Sequence, residues 1–470
     1  MHYSRAVTVP VPSSELFAWH ERPGAFERLA PPWMRVEVVR SDGRITDGAR
    51  VELRTWLPPG SPVGVPLRSR VEHRDYVAGR QFRDVQLAGP FARWEHLHRF
   101  DPGPGPGEST LVDVVDYALP LGPLGALGGG LFARAEVDRL FRYRHAVMAA
   151  DLERHAAAAL PPLTVAITGA SGLIGRALTH FLTTGGHSVV RIGRGGGATQ
   201  RGADVETRHV RDVQWDPAAG RLDARALENV DAVVHLAGAN VGERWTPAYR
   251  REIMDSRVQG TRLVAATLAA MERPPRVLVS ASAVGYYGDR GDEVLDERAS
   301  RGRGFLADVS AAWEEAADPA RAAGLRVVHP RFGVVLTPAG GALAKLLVPF
   351  QLGAGGPMGS GRQWLSVIGL DDTVGALHAM IARDDLAGPV NVVVPEPVRN
   401  ADLARALGRV LHRPALVPTP AFALRLALGR EQADEVLLSS QRVVPARLLA
   451  SGFAFRHPTV EDVLRFELGR

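Results

Sequence analysis

Hydrophobic and polar positions alternate along most of the first 157 residues with the two-residue period of β-strands. One run at 3–9 precedes two short helical stretches near 13–19 and 24–29. Six further runs, separated by turn residues, lie at 35–39, 50–56, 67–76, 81–87, 92–100 and 110–117. Their spacing predicts an antiparallel sheet. An apolar stripe at helical spacing over 131–155 predicts a long closing helix.

This order of elements predicts an α+β helix-grip domain over residues 1–157. The stretches 10–34 and 92–100, together with 141–145, resemble the polyketide cyclase/START-like (SRPBCC) superfamily. The resemblance implies a domain that holds a hydrophobic ligand between its sheet and its long helix.

Two histidines stand out in this domain, because His96 and His98 share one face of the 92–100 strand. Imidazole nitrogens so placed are able to bind a metal ion. The sequence identifies no acidic partner for them. It therefore favours a packed or solvated histidine pair, and no metal is predicted.

From residue 163 onward, short apolar runs alternate with helical patterns, which is typical of a parallel α/β sheet. Successive strands are predicted at 188–192, 232–236, 276–280 and 326–329, and helices at 249–270 and 307–323. The sequence thus predicts a doubly wound Rossmann domain over 163–413, after a linker at 156–162. A small C-terminal extension follows over 414–470.

A glycine turn opens this second half. The apolar run 163–167 leads into it, and 173–182 continues with helical spacing. Glycines at such positions permit a tight turn, close approach to a pyrophosphate and packing of the helix on the strand. Dinucleotide binding is therefore predicted for Gly169, Ala170, Ser171, Gly172, Leu173, Ile174 and Gly175.

Residues after two later strands extend the predicted cofactor site. Where an NAD site usually has an acidic residue for the ribose hydroxyls, this chain has Arg194, and a guanidinium suits the 2′-phosphate of NADP(H). Arg191 is a second candidate for that phosphate. Leu236, Ala237 and Gly238 leave room for the ribose and the diphosphate. NADP(H) is the predicted cofactor.

Composition narrows the function classes. The 470 residues carry a net charge of +5, but the 56 basic residues are spread among 51 acidic ones, which disfavours nucleic-acid binding. Cysteine is absent, which excludes disulfides, thiolate catalysis and cysteine metal sites. Neither a secretion signal nor an apolar run of transmembrane length is found. A cytoplasmic protein without stable membrane insertion is therefore expected.

Several strings of the second half together resemble one family. They are 168–175, 235–238, 244–246, 255–257 with Thr261, 280–288, 313–314, 331–336, 340–350 and 359–363, with Asp371 and Asp372. Residues 163–470 resemble the atypical extended short-chain dehydrogenase/reductases of the NAD-dependent epimerase/dehydratase family. The resemblance implies an extended Rossmann domain that binds NADP(H), with the substrate held by inserted and C-terminal segments. It also implies relatives with a START-like domain in front.

The chain lacks the Tyr-x-x-x-Lys pair of standard short-chain dehydrogenases, since its single lysine is Lys345 and residue 341 is glycine. The alignment places Leu306 and Ser310 at those two positions, and neither replaces a proton donor or its charged partner. Val367 and Gly369 stand where the family pattern has Trp and His, which bears on substrate choice.

Three residues after the 276–280 strand are the catalytic candidates. Ser282 lies near where the family fold places a hydroxyl donor to the substrate, and Tyr286 and Tyr287 follow on a loop that reaches the nicotinamide. A turn that only packs this loop is an equal alternative. An unassisted tyrosine has a pKa near about 10, so proton transfer needs a cation such as Arg257 to lower it.

The resemblance also implies substrate contacts. Arg331 and Gln363 are expected to contact the substrate, since the fold brings their loops over the nicotinamide. Arg244 and Trp245 are expected to cover the pocket.

Three functions follow from these observations. The favoured one is an NADP(H)-dependent oxidoreductase or epimerase-like enzyme that acts on a small or lipid-like molecule. The absent Tyr/Lys pair supports a second, a non-catalytic NADP(H)-binding or sensing module. The third is a hydrophobic-ligand carrier or cyclase that works through the N-terminal domain.

Overall fold

The N-terminal region is a sheet-rich domain. The computed structural model of the protein describes residues 1–57, 64–194 and 209–470. The elements of this domain are β1 (His2–Val9), α1 (Ser13–Glu21), α2 (Ala25–Leu29), β2 (Val36–Ser41), β3 (Arg50–Leu57), β4 (Val65–Val77), β5 (Gln81–Ala88), β6 (Arg93–Pro102), β7 (Ser109–Ala118) and α3 (Gly122–Ala158). The strands form one antiparallel sheet in the order β1-β7-β6-β5-β4-β3-β2. Apolar residues of α3 pack against its inner face, with Phe141, Met148 and Leu152 fully buried.

The second half is a doubly wound α/β domain. Its large sheet consists of β8 (Thr164–Thr168), β9 (Ser188–Arg194), β10 (Val210–Asp216), β11 (Arg221–Leu222), β12 (Ala232–His235), β13 (Val277–Ser280), β14 (Ser282–Ala283), β16 (Arg326–Phe332) and β20 (Gly388–Val392). The strand order is β11-β10-β9-β8-β12-β13-β16-β14, with β20 on β16. All pairs except β10–β11 are parallel. This is the Rossmann order, and its switch point lies between β8 and β12.

Smaller strands and the helices complete this half. The short strands are β15 (Val294–Leu295), β17 (Val334–Leu336), β18 (Trp364–Leu365), β19 (Val367–Gly369), β21 (Val398–Arg399) and β22 (Arg442–Val443). The helices are α4 (Leu173–Thr184), α5 (Pro247–Ala269), α6 (Phe305–Glu315), α7 (Asp318–Ala322), α8 (Gly341–Gln351), α9 (Leu370–Ala382), α10 (Asn400–Leu411), α11 (Ala421–Leu428), α12 (Arg430–Ala433), α13 (Ala446–Ala450) and α14 (Val460–Leu468). Helices α4 and α9 cover one face of the sheet, and α5 and α7 cover the other. The strands are therefore apolar on both faces.

Two helices differ from their predicted bounds. The helix predicted at 131–155 begins already at Gly122, with a proline in its first turn, where proline is tolerated. The helix predicted at 307–323 is two helices, α6 and α7, because Pro319 lacks the amide that would continue α6. Over the described ranges, no helix combines the length and apolar character needed to cross a membrane.

A buried ion network joins the two halves. Asp371, at the start of α9, accepts hydrogen bonds from Arg28 of α2 at 2.9 Å, Arg154 of α3 at 2.8 Å and Arg456 at 2.9 Å. Asp151 of α3 also pairs with Arg28. Burial opposes ionisation of Asp371, but the three arginines hold its pKa well below the usual value. The network fixes the N-terminal domain against the parallel sheet.

Candidate functional site

The glycine turn forms the first part of the site. β8 ends at Thr168, and Gly169 follows with a φ of 70°. A Cβ at Gly169 would lie 2.9 Å from the amide nitrogen of Ala237, and a Cβ at Gly175 would lie 2.3 Å from the carbonyl oxygen of Gly169. Glycine at both positions therefore lets the turn approach the loop after β12 and lets α4 pack on the turn.

A cleft of about 2710 Å³ opens in front of this turn, between the N-terminal domain and the parallel sheet. The predicted cofactor residues that line it are Gly169, Ala170, Ser171, Gly172, Leu173, Arg194, Leu236, Ala237 and Gly238. Ile174 and Gly175 belong to α4 behind the turn. The first turn of α4 thus points its free amides toward the cleft, as a pyrophosphate site requires. Their role in binding a cofactor stays a prediction.

Arginines flank the end of β9 where a ribose phosphate is predicted. Arg194 is the last residue of β9 and is exposed to the cleft. Arg191 instead forms a two-point ion pair with Asp212, with N···O distances of 2.7 and 2.9 Å. Arg176 of α4 lines the same cleft. Sequence reasoning missed Arg176, although its place directly after the third glycine of the turn is a signal.

His235 supports the cofactor loop from beneath. Thr168 Oγ1 accepts hydrogen bonds from the amides of Leu236 and Ala237 at 3.1 and 3.3 Å. Its own proton is therefore donated to His235 Nδ1, 2.7 Å away. Burial lowers the pKa of His235 to about 4, so the ring is neutral. The buried ring therefore packs at the end of β12.

Arg257 also lies under this loop. Its Nη1 donates to the carbonyl of Ala239 at 3.0 Å, and its guanidinium lies 4.7 Å from the ring centre of Trp313. Burial lowers the pKa of Arg257 to about 10. The side chain is thus tied to the cofactor loop, and a different arginine lies beside the two candidate tyrosines.

Ser282 and Tyr287, two of the three predicted catalytic residues, lie in a buried hydrogen-bonded network at the ends of β14, β16 and β20. Arg331 forms a two-point ion pair with Glu314 of α6, and both N···O distances are 2.8 Å. Ser282 donates to Glu314 at 2.7 Å. Arg331 also donates to the hydroxyl of Tyr287 at 2.9 Å, and this hydroxyl donates to Asn391 at 2.8 Å. We name these five residues the Glu314–Arg331 network.

The electrostatics of this network do not favour proton transfer. Burial raises the pKa of Tyr287 to about 12, although Arg331 lies beside it. Burial also opposes ionisation of Glu314, but Arg331 holds its pKa below the usual value. Tyr286 is half-buried, with its ring centre 3.5 Å from the Arg331 guanidinium. None of Ser282, Tyr286 and Tyr287 lines the cleft. Their catalytic role stays a prediction, and the contacts favour the packing alternative.

The positions aligned with the absent Tyr/Lys pair face the same loop. A Cβ at Gly285 would lie 3.1 Å from the Cβ of Leu306, so α6 packs closely on the turn before Tyr286. Ser310 donates to the carbonyl of Leu306 within its own helix at 2.8 Å. Close packing and an intrahelical hydrogen bond thus occupy the place of the standard acid.

The other predicted substrate contacts hold loops together. Gln363 is buried and donates to the carbonyl of Met358 at 3.0 Å. Trp245 donates its indole N–H to the carbonyl of Val241 at 3.0 Å. Arg244 is exposed. None of the three, nor Arg331, lines the cleft, so their contact with a substrate stays a prediction.

The two departures from the family pattern pack against the C-terminal extension. Val367 is 1% exposed and belongs to one apolar cluster with Val463 and Leu464 of α14. A Cβ at Gly369 would lie 3.4 Å from Val463. Small residues in β19 therefore let α14 pack on this strand.

The N-terminal domain supplies the opposite wall of the cleft. Arg35 lies 4.0 Å from the ring centre of Trp56, and Arg139 lies 4.5 Å from that of Trp33. All four residues line the cleft. Sequence reasoning missed this wall, because its residues come from separate elements that only the fold brings together. Positive charge on flat rings suits an anionic or aromatic group.

Two family models and a relative of known family match parts of this chain. Residues 165–394 match the model of the NAD dependent epimerase/dehydratase family, and 419–467 match a domain of unknown function, DUF1731. An epimerase family protein of Mycobacterium bovis is 44% identical over 307 residues, which are 65% of this chain and 98% of that protein.

Two solved structures are similar to the chain. A nucleoside-diphosphate sugar epimerase from Corynebacterium glutamicum has a TM-score of 0.77 and 31% identity, covering 99% of this chain and 90% of its own. The human epimerase family protein SDR39U1 (isoform 2), with NADPH, has a TM-score of 0.57 and 32% identity, covering 65% of this chain and 99% of its own. Both halves of the chain thus have counterparts in the Corynebacterium structure.

Proposed function

The chain belongs to the NAD-dependent epimerase/dehydratase family, and we propose that it binds NADP(H) in the cleft as an oxidoreductase or epimerase-like enzyme. One observation carries the proposal: the glycine turn, the start of α4 and the loop 236–238 form one continuous wall of the cleft. Backbone amides at a helix start and small residues beside them suit a diphosphate and its riboses.

Arg194 supports NADP(H) over NAD(H). It ends β9, the strand whose terminal residue usually selects between the two cofactors. Its guanidinium is exposed to the cleft, whereas the neighbouring Arg191 is paired with Asp212. Arg176 lines the cleft from α4 and adds a second positive charge. The NADPH in the human relative's structure agrees with this choice.

The substrate is proposed to enter the cleft opposite the cofactor wall. There the arginine–tryptophan pairs of the N-terminal domain face the parallel sheet. A small molecule with an anionic or aromatic group fits that chemistry.

The N-terminal domain itself is proposed to be a helix-grip domain of the START-like type. A seven-stranded antiparallel sheet, two short helices after β1 and the long α3 support this assignment. A carrier of large apolar ligands is not supported. A cavity between the sheet and α3 measures about 10 Å³ and is lined partly by histidine and aspartate, which is room for about one water molecule.

A second candidate function is an NADP(H)-binding module without turnover. The Glu314–Arg331 network favours it, because Ser282 donates its proton to Glu314 and Tyr287 donates its proton to Asn391. Neither hydroxyl lines the cleft.

Titration of the full chain with NADPH and NADH, followed by nicotinamide fluorescence, tests the cofactor. We expect Arg194→Ala to weaken NADPH binding about 10-fold, or about 1.4 kcal/mol, and to leave NADH binding unchanged. Arg298→Ala, whose side chain is 88% exposed, is the matched control. If the variant lost the same affinity for NADPH and NADH, Arg194 would not recognise the 2′-phosphate. Binding of neither nucleotide would refute the cofactor proposal.

Transfer of deuteride from labelled NADPH to a panel of anionic carbonyl compounds tests turnover. Label recovered in an alcohol product supports the enzyme. Tight NADPH binding with no label transferred across the panel supports the binding module instead.

A further inference from the structure

A cluster of histidine and aspartate side chains lies in the interior of the N-terminal domain. His96 and His98 of β6 point to the inner face of the sheet, where α3 covers them. Asp84 of β5 is the cross-strand partner of His96, and Asp113 of β7 is the cross-strand partner of His98. The pairing register of three strands therefore brings two carboxylates to a histidine pair for which the sequence offered no acidic partner.

Three atoms of this cluster are arranged as a metal site requires. Asp84 Oδ2 lies 3.4 Å from His98 Nε2 and 3.8 Å from His96 Nδ1. All three ligand atoms lie within 4.8 Å of one another. Bonds of about 2.0–2.2 Å to a tetrahedral ion place neighbouring ligands about 3.3–3.6 Å apart. Small side-chain movements would bring the three atoms to that spacing.

The other side-chain nitrogen and oxygen atoms of Asp84, His96 and His98 contact neighbouring side chains. His96 Nε2 is hydrogen-bonded to Asp113 Oδ1 at 2.9 Å. His98 Nδ1 lies 2.9 Å from the same oxygen, but it lacks the alignment of a hydrogen bond. His73 Nδ1 is hydrogen-bonded to the other oxygen of Asp84 at 2.7 Å. In metal sites, a carboxylate hydrogen-bonded to the non-coordinating nitrogen of a ligand histidine orients that histidine. A hydrogen bond to the second oxygen of a ligand carboxylate orients the carboxylate in the same way.

We propose that Asp84, His96 and His98 bind one divalent transition-metal ion, with Asp113 as the carboxylate that orients the imidazole of His96. Two histidines and one carboxylate are the donors of open zinc and iron(II) sites.

The surroundings agree with a bound cation. Asp84 and Asp113 bring two carboxylates into the interior, where the guanidinium of the half-buried Arg144 lies near both. The neighbouring cavity is lined by His20, His98, Asp113 and His145. His145 has a buried Nδ1 without a hydrogen-bond partner. The Asp84 side chain is 22% exposed, which gives an ion a path from solvent.

A second histidine group must be separated from this one experimentally. His155, His187 and His378 converge where α3 meets α4 and α9. The His155 ring lies where a Cβ at Gly185 would come within 2.1 Å of it. Hydrogen bonds to backbone already occupy His155 Nε2, at 3.0 Å from the carbonyl of Phe181, and His187 Nδ1, at 3.1 Å from the amide of Leu163. This group is therefore the less suitable of the two for a metal ion.

The test uses the full chain stripped with a chelator and titrated with Co²⁺ or Zn²⁺ alone. We expect one equivalent of metal per chain, with the intense visible absorption of Co²⁺ in a site of low coordination number. His98→Gln should abolish this absorption. Asp113→Asn should retain the site and weaken its affinity 10- to 100-fold. His2→Gln, in the same sheet but exposed, and His378→Gln should bind as the unchanged chain does.

Two results would overturn the proposal. One is folded wild-type chain that takes up no stoichiometric Co²⁺ or Zn²⁺. The other is a full equivalent that survives in folded His98→Gln and Asp113→Asn but disappears in His378→Gln. The wild-type titration tests the proposal by itself, even if one of the variants does not fold.

Discussion

The two ends of the parallel sheet's carboxyl edge are built differently. At β8, β9 and β12 the strands end in glycines, small residues and exposed arginines, and these residues line the cleft. At β14, β16 and β20 the strands end in the Glu314–Arg331 network, which is buried and internally hydrogen-bonded. The first end is shaped to receive a nucleotide. At the second end, residues typical of a catalytic site instead hold the sheet to α6.

A nucleotide site and a catalytic site depend on different features of the chain. A glycine turn binds through backbone amides, so its function depends on a short stretch of chain. A proton donor needs a partner that tunes its pKa and access to the substrate. In this chain Arg331 is beside Tyr287, but it is neutralised by Glu314 and the tyrosine stays buried.

Removal of Glu314 should produce the largest difference between the two ends of the sheet, in stability and not in nucleotide binding. Glu314→Ala leaves Arg331 buried without its carboxylate, and we expect the free energy of unfolding to fall by about 3–5 kcal/mol. NADPH affinity should stay within twofold of wild type, since the network does not line the cleft. Urea unfolding and NADPH titration measure both quantities.

Glu315→Ala, one residue further along α6 and exposed, is the control and should change stability by less than about 0.5 kcal/mol. A Glu314→Ala protein of unchanged stability that no longer binds NADPH would mean that the network serves the cofactor directly.

Glu467 contrasts with Glu314, because it is buried and forms no ion pair with an arginine of the described ranges. Burial, together with the charge of Asp371, raises the pKa of Glu467 from 4.5 to about 8. The folded chain therefore keeps a proton that the unfolded chain loses, and this group's contribution to stability falls as pH rises from about 4.5 to about 8. Glu467→Gln should be more stable than wild type by about 2–4 kcal/mol at pH 8, with the difference vanishing toward pH 4.

Unfolding by urea at several pH values measures this effect. Glu461→Gln, on the same helix, removes a carboxylate whose pKa is lowered by hydrogen bonds from Arg409 and Arg465, so its stability relative to wild type should not grow with pH. A constant difference between Glu467→Gln and wild type from pH 4 to pH 8 would refute the raised pKa.

The part of the fold that the sequence predicts is the part with local signals. The glycine turn, the strand–helix alternation and the alternating strands of the first domain each depend on neighbouring residues, and the structure has these elements near the predicted bounds. The partners of Arg331 and His98 depend on strand register and on helix packing. Glu314 and Asp84 reach them from other elements, and no spacing along the chain indicates that meeting.

The smallest expected effects concern the two adjacent tyrosines, which test whether their loop only packs or also takes part in catalysis. The hydroxyl of Tyr287 links Arg331 to Asn391, so Tyr287→Phe should lower the free energy of unfolding by about 1–3 kcal/mol and leave NADPH affinity unchanged. Tyr286 meets Arg331 through its ring, which phenylalanine retains, so Tyr286→Phe should be nearly neutral in stability. If a carbonyl substrate is found, loss of a true proton donor would slow turnover by about 10²–10⁴-fold. If Tyr287→Phe slowed turnover to this extent without a change in stability, the hydroxyl of Tyr287 would be catalytic. That result would contradict the packing role that its contacts indicate.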